Sequence, residues 1–256
     1  MSIQPKVYLT KHIKTHGGKF SLWFHKHQLI SSQVCSSLSH ILRLPASGPK
    51  IGQKYLHSPV LFNRPSIGKV KFDVRYIILL KSVEPLEVYA YNRFWLRFAN
   101  IPFSLEQLDV YEKHFTVMNY NDADLQQMFC HDFIKLFEEQ NPGHLWKDVE
   151  SAIFSMFRGV FEVTQFSIST ALRSEFQGAT ALPPPCGIGS CAQAGAMYAT
   201  DLMLDWTEEG KIQPKVLEFN WLPDCERACD YYPEFFNNVF STLFLGETEG
   251  QNVTRL

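Results

Sequence analysis

Between Lys69 and Leu80, apolar and charged residues alternate. Val70, Phe72, Val74, Tyr76 and Ile78 fall on one side, and Lys69, Lys71, Asp73 and Arg75 on the other. A period of two predicts a half-buried strand. A turn at Glu84–Pro85 separates it from a second strand, Leu86 to Phe98, whose spacing places Arg93, Trp95 and Arg97 on one face. Upstream, Ile51 to Phe62 reads as a strand followed by a bend at Ser58–Pro59. Leu38, Ile41 and Leu42 suggest a short helix within Val34–Leu44, ended by the Pro45–Pro49 stretch.

The period then lengthens. Leu125, Phe129, Phe133, Leu136 and Phe137 form one helical stripe, and Val149, Ile153, Phe157, Val160 and Phe161 form another, with Asn141-Pro-Gly143 breaking the chain between them. From Thr164 to Ala196 the chain is rich in Ser, Ala and Pro, and reads as a long surface loop. Met197 to Trp206 and Pro214 to Asn220 read as a hairpin around the polar turn Thr207–Lys211. Pro233 to Leu245 reads as a last helix burying Phe235, Phe236, Val239, Phe240 and Leu243. Residues 1–34 show no period and are expected to be irregular or foreign to the remainder. Residues 35–250 are expected to form one partial α+β domain with a loop insertion near 164–196.

Composition narrows the partners. Lys and Arg total 24 against 26 for Asp and Glu, too even a balance to favour nucleic acid or an anionic membrane. No stretch approaches the roughly 20 apolar residues of a membrane span, and Met1–Phe20 has no apolar run of the secretory kind. A cytoplasmic protein with reduced thiols is expected. Cys186, Cys191, Cys225 and Cys229 are spaced unlike the tight pairs of a zinc site.

The chemistry concentrates in the hairpin and the first strand. Asp201 projects away from Tyr198, Thr200 and Leu202, while Val216, Glu218 and Asn220 are expected to share a face of the partner strand. Asp201, Glu218 and Asn220 therefore converge as two carboxylates and an amide oxygen, the hard oxygen donors that Mg²⁺ takes beside phosphates and water. A solvated acidic face reads equally from the spacing. Lys71, Asp73 and Arg75 project together with Arg97 of the neighbouring strand; such cations hold phosphate or carboxylate, or simply form an exposed charged face.

Taken together these segments resemble the tubulin–tyrosine ligase-like family. The resemblance is carried by Gln53-Lys-Tyr-Leu56, Pro59-Val-Leu61, Lys71-Phe-Asp-Val-Arg75, Trp95-Leu-Arg-Phe98, Pro102-Phe-Ser104, Lys113-His-Phe-Thr116, Tyr198-Ala-Thr-Asp-Leu-Met-Leu204 and Val216-Leu-Glu-Phe-Asn220, in order and in spacing. Asp109 to Tyr120 and Asn220 to Leu245 look like one branch of that family. The resemblance implies the C-terminal portion of an ATP-grasp fold, an antiparallel sheet flanked by helices, with ATP and Mg²⁺ as cofactors. It implies an adenine pocket at Gln53, Lys54, Tyr55 and Leu56, nucleotide contacts from Lys71, Asp73 and Thr116, catalytic arginines at Arg75 and Arg97, and magnesium ligands at Asp201, Glu218 and Asn220. The activity implied joins a free amino acid to a peptide carboxylate, typically on the acidic tail of tubulin or microtubules, through an acyl phosphate. Such chemistry needs positioning and charge neutralisation rather than a protein nucleophile. His114 is the nearest candidate for handling a proton.

Three departures from the family pattern bear on activity. Val117 stands where the family has an asparagine amide. The chain shows no counterpart of the family's N-terminal subdomain with its phosphate-gripping lysines, and Gly17-Gly-Lys19 is not a phosphate loop. Residues 1–34 match nothing in the family. Two readings follow: an ATP-dependent ligase-like protein of the tubulin-modifying class, whose fragment in this chain is inactive by itself, or a non-catalytic tubulin-binding regulator that retains nucleotide-site residues.

Overall fold

The computed structural model describes residues 6–9, 23–26, 32–35, 39, 50–83, 85–116, 128–176, 195–221, 223 and 225–256. It is an α+β fold organised on a five-stranded antiparallel sheet. The alternating run builds its centre, with β7 (Phe72–Val83) paired to β8 (Leu86–Phe98) on one side and β9 (Ala196–Trp206) on the other. β10 (Ile212–Trp221) completes the predicted hairpin, and β11 (Val253–Arg255) adds to the far edge of β8.

The even-numbered side chains of β7 fill the main core. Phe72, Val74, Tyr76 and Ile78 pack with Phe94 and Phe98 of β8 and with two helices, α2 (Cys130–Gln140) and α3 (Trp146–Phe176). Phe133, Phe137 and Phe157, all fully buried, come from the two predicted stripes. Phe129 does not join them: it lies before α2, is exposed, and stacks on His131. Leu125 falls outside the described residues.

The other face of β7, which the alternation left open between a binding face and an exposed charged one, is not exposed at Lys71 (3%) or Asp73 (0%). The strand is buried on both faces, as central strands of a covered sheet are. Farther along that second face, Ile77 and Leu79 form a smaller apolar cluster with Tyr89, Tyr91, Ala199 and Phe235. Short helices α4 (Glu226–Tyr231) and α5 (Phe235–Phe240) cover it.

Other expectations are corrected. β10 carries a bulge, because Val216 pairs with Leu202 whereas Glu218 pairs with Asp201, leaving Leu217 as the extra residue. Val216 therefore points into the core and does not share a face with Glu218, since a bulge reverses the alternation. The final helix starts at Phe235 and widens to a π-helical turn over Ser241–Leu245, closed by Gly246 at φ 74. Phe235 and Val239 are buried, but Phe236 and Phe240 are exposed, so the apolar stripe there is narrower than predicted. α3 runs to Phe176, past Thr164 where the loop was expected to begin; residues 177–194 lie outside the described residues. Residues 1–34 are not uniformly irregular, because β1 (Lys6–Leu9), β2 (Trp23–Lys26) and β3 (Ser32–Cys35) join β4 (Lys50–Lys54) in a four-stranded sheet. The strand expected over Ile51–Phe62 is split between β4 and β5 (Phe62–Arg64), which pairs with β6 (Gly68–Val70). Apart from Val34, Cys35 and Ser39, the segment read as a short helix at Val34–Leu44 is outside the described residues, as are Cys186 and Cys191. Among the described residues no helix is long and apolar enough to cross a membrane.

Candidate functional site

A cleft of about 320 Å³ opens where the end of β4 meets β7, β9 and β10, within the size range of small-ligand sites. Strand alternation explains its lining. Lys71, Asp73 and Arg75 reach it from the β7 face opposite the core, Arg97 from β8, and Asp201 and Met203 from β9. Gln53, Lys54, Tyr55 and Leu56 form the wall at the end of β4, where Gln53 Nε2 donates to the Leu217 carbonyl at 3.2 Å. The short helix α1 (Tyr111–His114) and the residues after it contribute Tyr111, His114, Phe115 and Thr116.

The structure thus brings every predicted site residue to the cleft wall except Asn220. Asn220 stands beside it, and its Nδ2 donates to Glu218 Oε1 at 3.1 Å. Glu218 reaches the cleft because the bulge turns it to face Asp201. Four lining residues were not singled out from sequence. Met203 follows Asp201 at the strand period and was open to that reasoning. Tyr111 and Phe115, stacked at 4.4 Å, lie four apart on a segment too short to show a helical pattern. Leu217 lies at the bulge, which alternation cannot reveal.

Charge in the cleft is largely self-compensated. Arg75 grips Asp201 with two bonds, Nε to Oδ1 at 2.6 Å and a terminal nitrogen to Oδ2 at 2.8 Å. Arg97 bridges the carboxylates, at 2.7 Å from Asp73 Oδ1 and 2.9 Å from Asp201 Oδ2. The Thr116 hydroxyl donates to the Asp73 carboxylate. Burial alone would raise the Asp201 carboxyl, but the bonds and charges of Arg75 and Arg97 outweigh it and hold it below its ordinary value. For Asp73 burial wins, helped by the negative charge of Asp201, and its pKa is raised.

Lys71 is different. Its ammonium contacts the Tyr55 hydroxyl at 3.3 Å and the Tyr55 ring at 4.3 Å. Among the described residues no carboxylate lies within ion-pairing distance of it. Burial pushes its pKa down to about 7, with Asp205 and Asp73 opposing at longer range. A buried ammonium without a counter-ion marks a place for an anionic group. The donor set of Asp201, Glu218 and Asn220 consists of oxygens of the type a hard divalent cation takes; both Asp201 oxygens are held by arginine, so a cation there would have to displace a guanidinium. Lys71 and the guanidinium groups, interleaved with these oxygen donors, form a lining whose chemistry suits a magnesium–phosphate group. Among the described residues there is no cluster of three His, Cys, Asp or Glu of metal-binding geometry; Cys225 is buried and Cys229 half-buried, and no disulfide joins them.

Comparison with known proteins bears on this site. A family profile described as the tubulin-tyrosine ligase family matches residues 23–255. The chain is 50% identical to tubulin–tyrosine ligase-like protein 12 of Mus musculus over 232 residues, covering 89% of this chain and 34% of that protein. It is 40% identical to the protein of the same name from Caenorhabditis elegans over 223 residues, 86% of this chain and 31% of that protein. A tubulin polyglutamylase of Homo sapiens is 26% identical over 187 residues, 68% of this chain and 20% of that protein. The chain spans about a third of the length of the first two relatives.

Proposed function

This chain belongs to the tubulin–tyrosine ligase family, and on that footing we propose that its cleft binds magnesium–ATP as part of an ATP-grasp, ligase-like site of the tubulin-modifying class. The observation that carries the reading is the buried Lys71 ammonium, without a close carboxylate among the described residues, lining one cleft with Asp201 and Glu218. Gln53 to Leu56, with Met203 and Leu217, supply backbone polar groups and apolar walls for a flat base. Lys71 and Arg97 hold phosphate oxygens, Arg97 with a fork suited to two of them. Asp201, Glu218 and Asn220 hold Mg²⁺, which when bound supplies charge neutralisation at the phosphates.

The arginines then do the chemical positioning. A guanidinium released from Asp201 is free to bind a carboxylate in two-point fashion, and Arg75, the more exposed of the two, takes the acceptor peptide. In the reaction class proposed, an acceptor carboxylate oxygen bonds to the γ-phosphorus as ADP leaves, giving an acyl phosphate. The amine of a free amino acid then attacks the acyl carbon, phosphate departs, and an amide forms. The protein's part is alignment and electrostatics. The names of the relatives point to tubulin as the acceptor, and the compartment of this reading is the cytoplasm, where such an acceptor would be met.

A second reading, a nucleotide-site protein that binds tubulin without turnover, rests on Val117, which lies outside the described residues and removes an amide from the family pattern. Calorimetry with Mg·ATP tests the shared element. Binding that requires magnesium and disappears in Asp201→Ala and Glu218→Ala is expected; an equal response in all three proteins overturns the site. Supplying tubulin, ATP and labelled amino acids separates the readings, because incorporation lost in Arg97→Ala is expected of a ligase and not of a binder.

A further inference from the structure

Tyr55 stands at the junction of two hydrogen bonds. Its hydroxyl lies 2.7 Å from Nδ1 of His114 and 3.3 Å from Nζ of Lys71. On the far side of the imidazole, Nε2 of His114 lies 3.1 Å from the Gln107 carbonyl oxygen. The end of this series fixes the directions within it. A carbonyl oxygen has no proton to give, so Nε2 carries the hydrogen. A neutral imidazole has one N–H, so Nδ1 is bare and accepts. Tyr55 must donate its only proton to Nδ1, which leaves a lone pair of Oη turned towards the Lys71 ammonium.

We propose that Tyr55 and His114 are positioning residues that aim Lys71 into the nucleotide cleft, the protonation of His114 deciding whether Tyr55 offers Lys71 a lone pair or a proton. The proposal rests on the nucleotide reading of the cleft and assigns side chains that make no contact with the reacting atoms. In the neutral state the ammonium is held from two directions, by Oη and by the faces of the Tyr55 and Phe103 rings at 4.3 and 5.7 Å. Protonating His114 places a hydrogen on Nδ1. Tyr55 then accepts from the imidazolium, its own proton swings towards Lys71, and two donors face each other.

The surroundings favour the accepting form at neutral pH. His114 is packed against Phe103 and Tyr55. The charged groups that face it are Lys113 on its own helix, Asp109 on the preceding loop and Lys71 beside β7. Burial lowers its pKa below the ordinary 6.5, the Gln107 bond and Asp109 oppose this, and Lys71 and Lys113 add to the lowering. Lys71 faces Asp73 beside it on β7 and Asp205 on β9.

The test is equilibrium binding of Mg·ATP by this chain and its variants at about pH 6.5 and about pH 5, both below the Lys71 value of about 7 so that its ammonium is kept at each, and spanning the range in which a histidine lowered from 6.5 takes up its proton. Tyr55→Phe keeps the ring and removes the hydroxyl. It is expected to bind about tenfold more weakly at the higher pH, the size of one hydrogen bond to a charged group, and to equal wild type at the lower. ATP titrates identically in each case, so the ratio of wild type to variant isolates the protein's part. His114→Asn puts an amide oxygen near the place of Nδ1 and does not titrate. It is expected to bind like wild type at the higher pH and to exceed it at the lower. Equal affinity of Tyr55→Phe and wild type at the higher pH, or the same deficit at both, overturns the relay. Lys71→Met separates the two levels of the argument. Loss of binding there with none in Tyr55→Phe removes the relay alone, whereas absence of Mg·ATP binding by wild type removes the nucleotide reading and the relay with it. Should Tyr55→Phe fail to fold, the His114→Asn profile decides: an acid fall equal to wild type refutes the proposal.

Discussion

Along one side of β7 the residues Lys71, Asp73 and Arg75 line a charged cleft, and the next two on that side, Ile77 and Leu79, line an apolar cluster. Strand, face and neighbouring strands are the same, and the two halves are buried by different means. The apolar half is closed by α4 and α5 and held by rings, with Phe235 edge-on to both Tyr91 and Trp95. The charged half is held by Arg97 bridging Asp73 and Asp201. Burial of polar groups is tolerable only where they are paired, and Lys71, the one charge on this β7 face without a close partner among the described residues, marks where the cleft is unfinished. The apolar half is a closed structure; the charged half has the form of a receptor.

Breaking the apolar half should have the largest effect. Phe235 is fully buried against Tyr91 and Trp95, and Phe235→Ala is expected to cost about 3–5 kcal/mol of stability. Chemical denaturation measures it. A loss below about 1 kcal/mol would show that this end of the sheet is not a packed core.

Next in size is the bridge in the charged half. Arg97→Met leaves Asp73 and Asp201 facing each other beneath the surface. The expected loss is about 2–4 kcal/mol, a little under the figure for a dry pair because the Arg97 side chain is 15% exposed. The sign of its pH dependence follows from Asp73, whose pKa is already raised and rises further without Arg97. Protonation relieves the repulsion, so the difference from wild type should shrink as pH falls below neutral. A difference that grows on acidification would contradict the bridge.

The contrast between the halves also explains what the sequence disclosed. Alternation over Val70–Ile78 identified the strand and its core face, since Val, Phe, Tyr and Ile at every second position have one economical burial. It could not show that Lys71 and Asp73 are buried, because a charged strand face looks the same whether it meets water or arginines from β8. The convergence of Asp201 and Glu218 was legible from the hairpin spacing and from resemblance, but simple alternation assigned Val216 to the face of Glu218; the bulge at Leu217 corrects this and leaves no mark in the residue pattern. The extension of α3 to Phe176 was hidden because Ser and Thr favour helix ends and turns locally, a preference that the continuing helix overrides.

A third, smaller effect has the opposite sign. Lys71→Met removes a buried ammonium that has no close counter-ion among the described residues, and should stabilise the protein by roughly 0.5–2 kcal/mol near neutrality while abolishing the anion site, a stability–function exchange. The folded-state pKa is about 7 against an ordinary 10.5. Between those values the unfolded chain binds one proton more than the folded protein, so wild-type stability should rise with pH through that window and be lowest below it. The variant should lack that rise. Mg·ATP, by neutralising Lys71, should raise its pKa and draw protons from solution near pH 7, seen as a buffer-dependent heat of binding. A heat independent of buffer would place the phosphates elsewhere.

The smallest effect concerns Arg75, whose side chain is 30% exposed. Asp201 is buried but keeps Arg97 when the partly exposed Arg75 is removed, so Arg75→Ala should cost about 1 kcal/mol, well short of the loss of a buried charge left without any partner. Its value lies in a second measurement. Arg75 and a divalent cation compete for the same two oxygens of Asp201, so the guanidinium acts as a resident counter-ion that a cation must displace. Removing it should enlarge the rise in melting temperature produced by Mg²⁺ alone, because a ligand stabilises in proportion to the logarithm of its concentration over its dissociation constant. Acceptor-carboxylate binding should weaken at the same time. If Mg²⁺ instead shifts Arg75→Ala and wild type equally, Asp201 is a structural partner of arginine and the metal contacts lie on Glu218 and Asn220 alone. The charged half of the sheet would then resemble the apolar half more closely, as a closed network with Lys71 its one open position among the described residues.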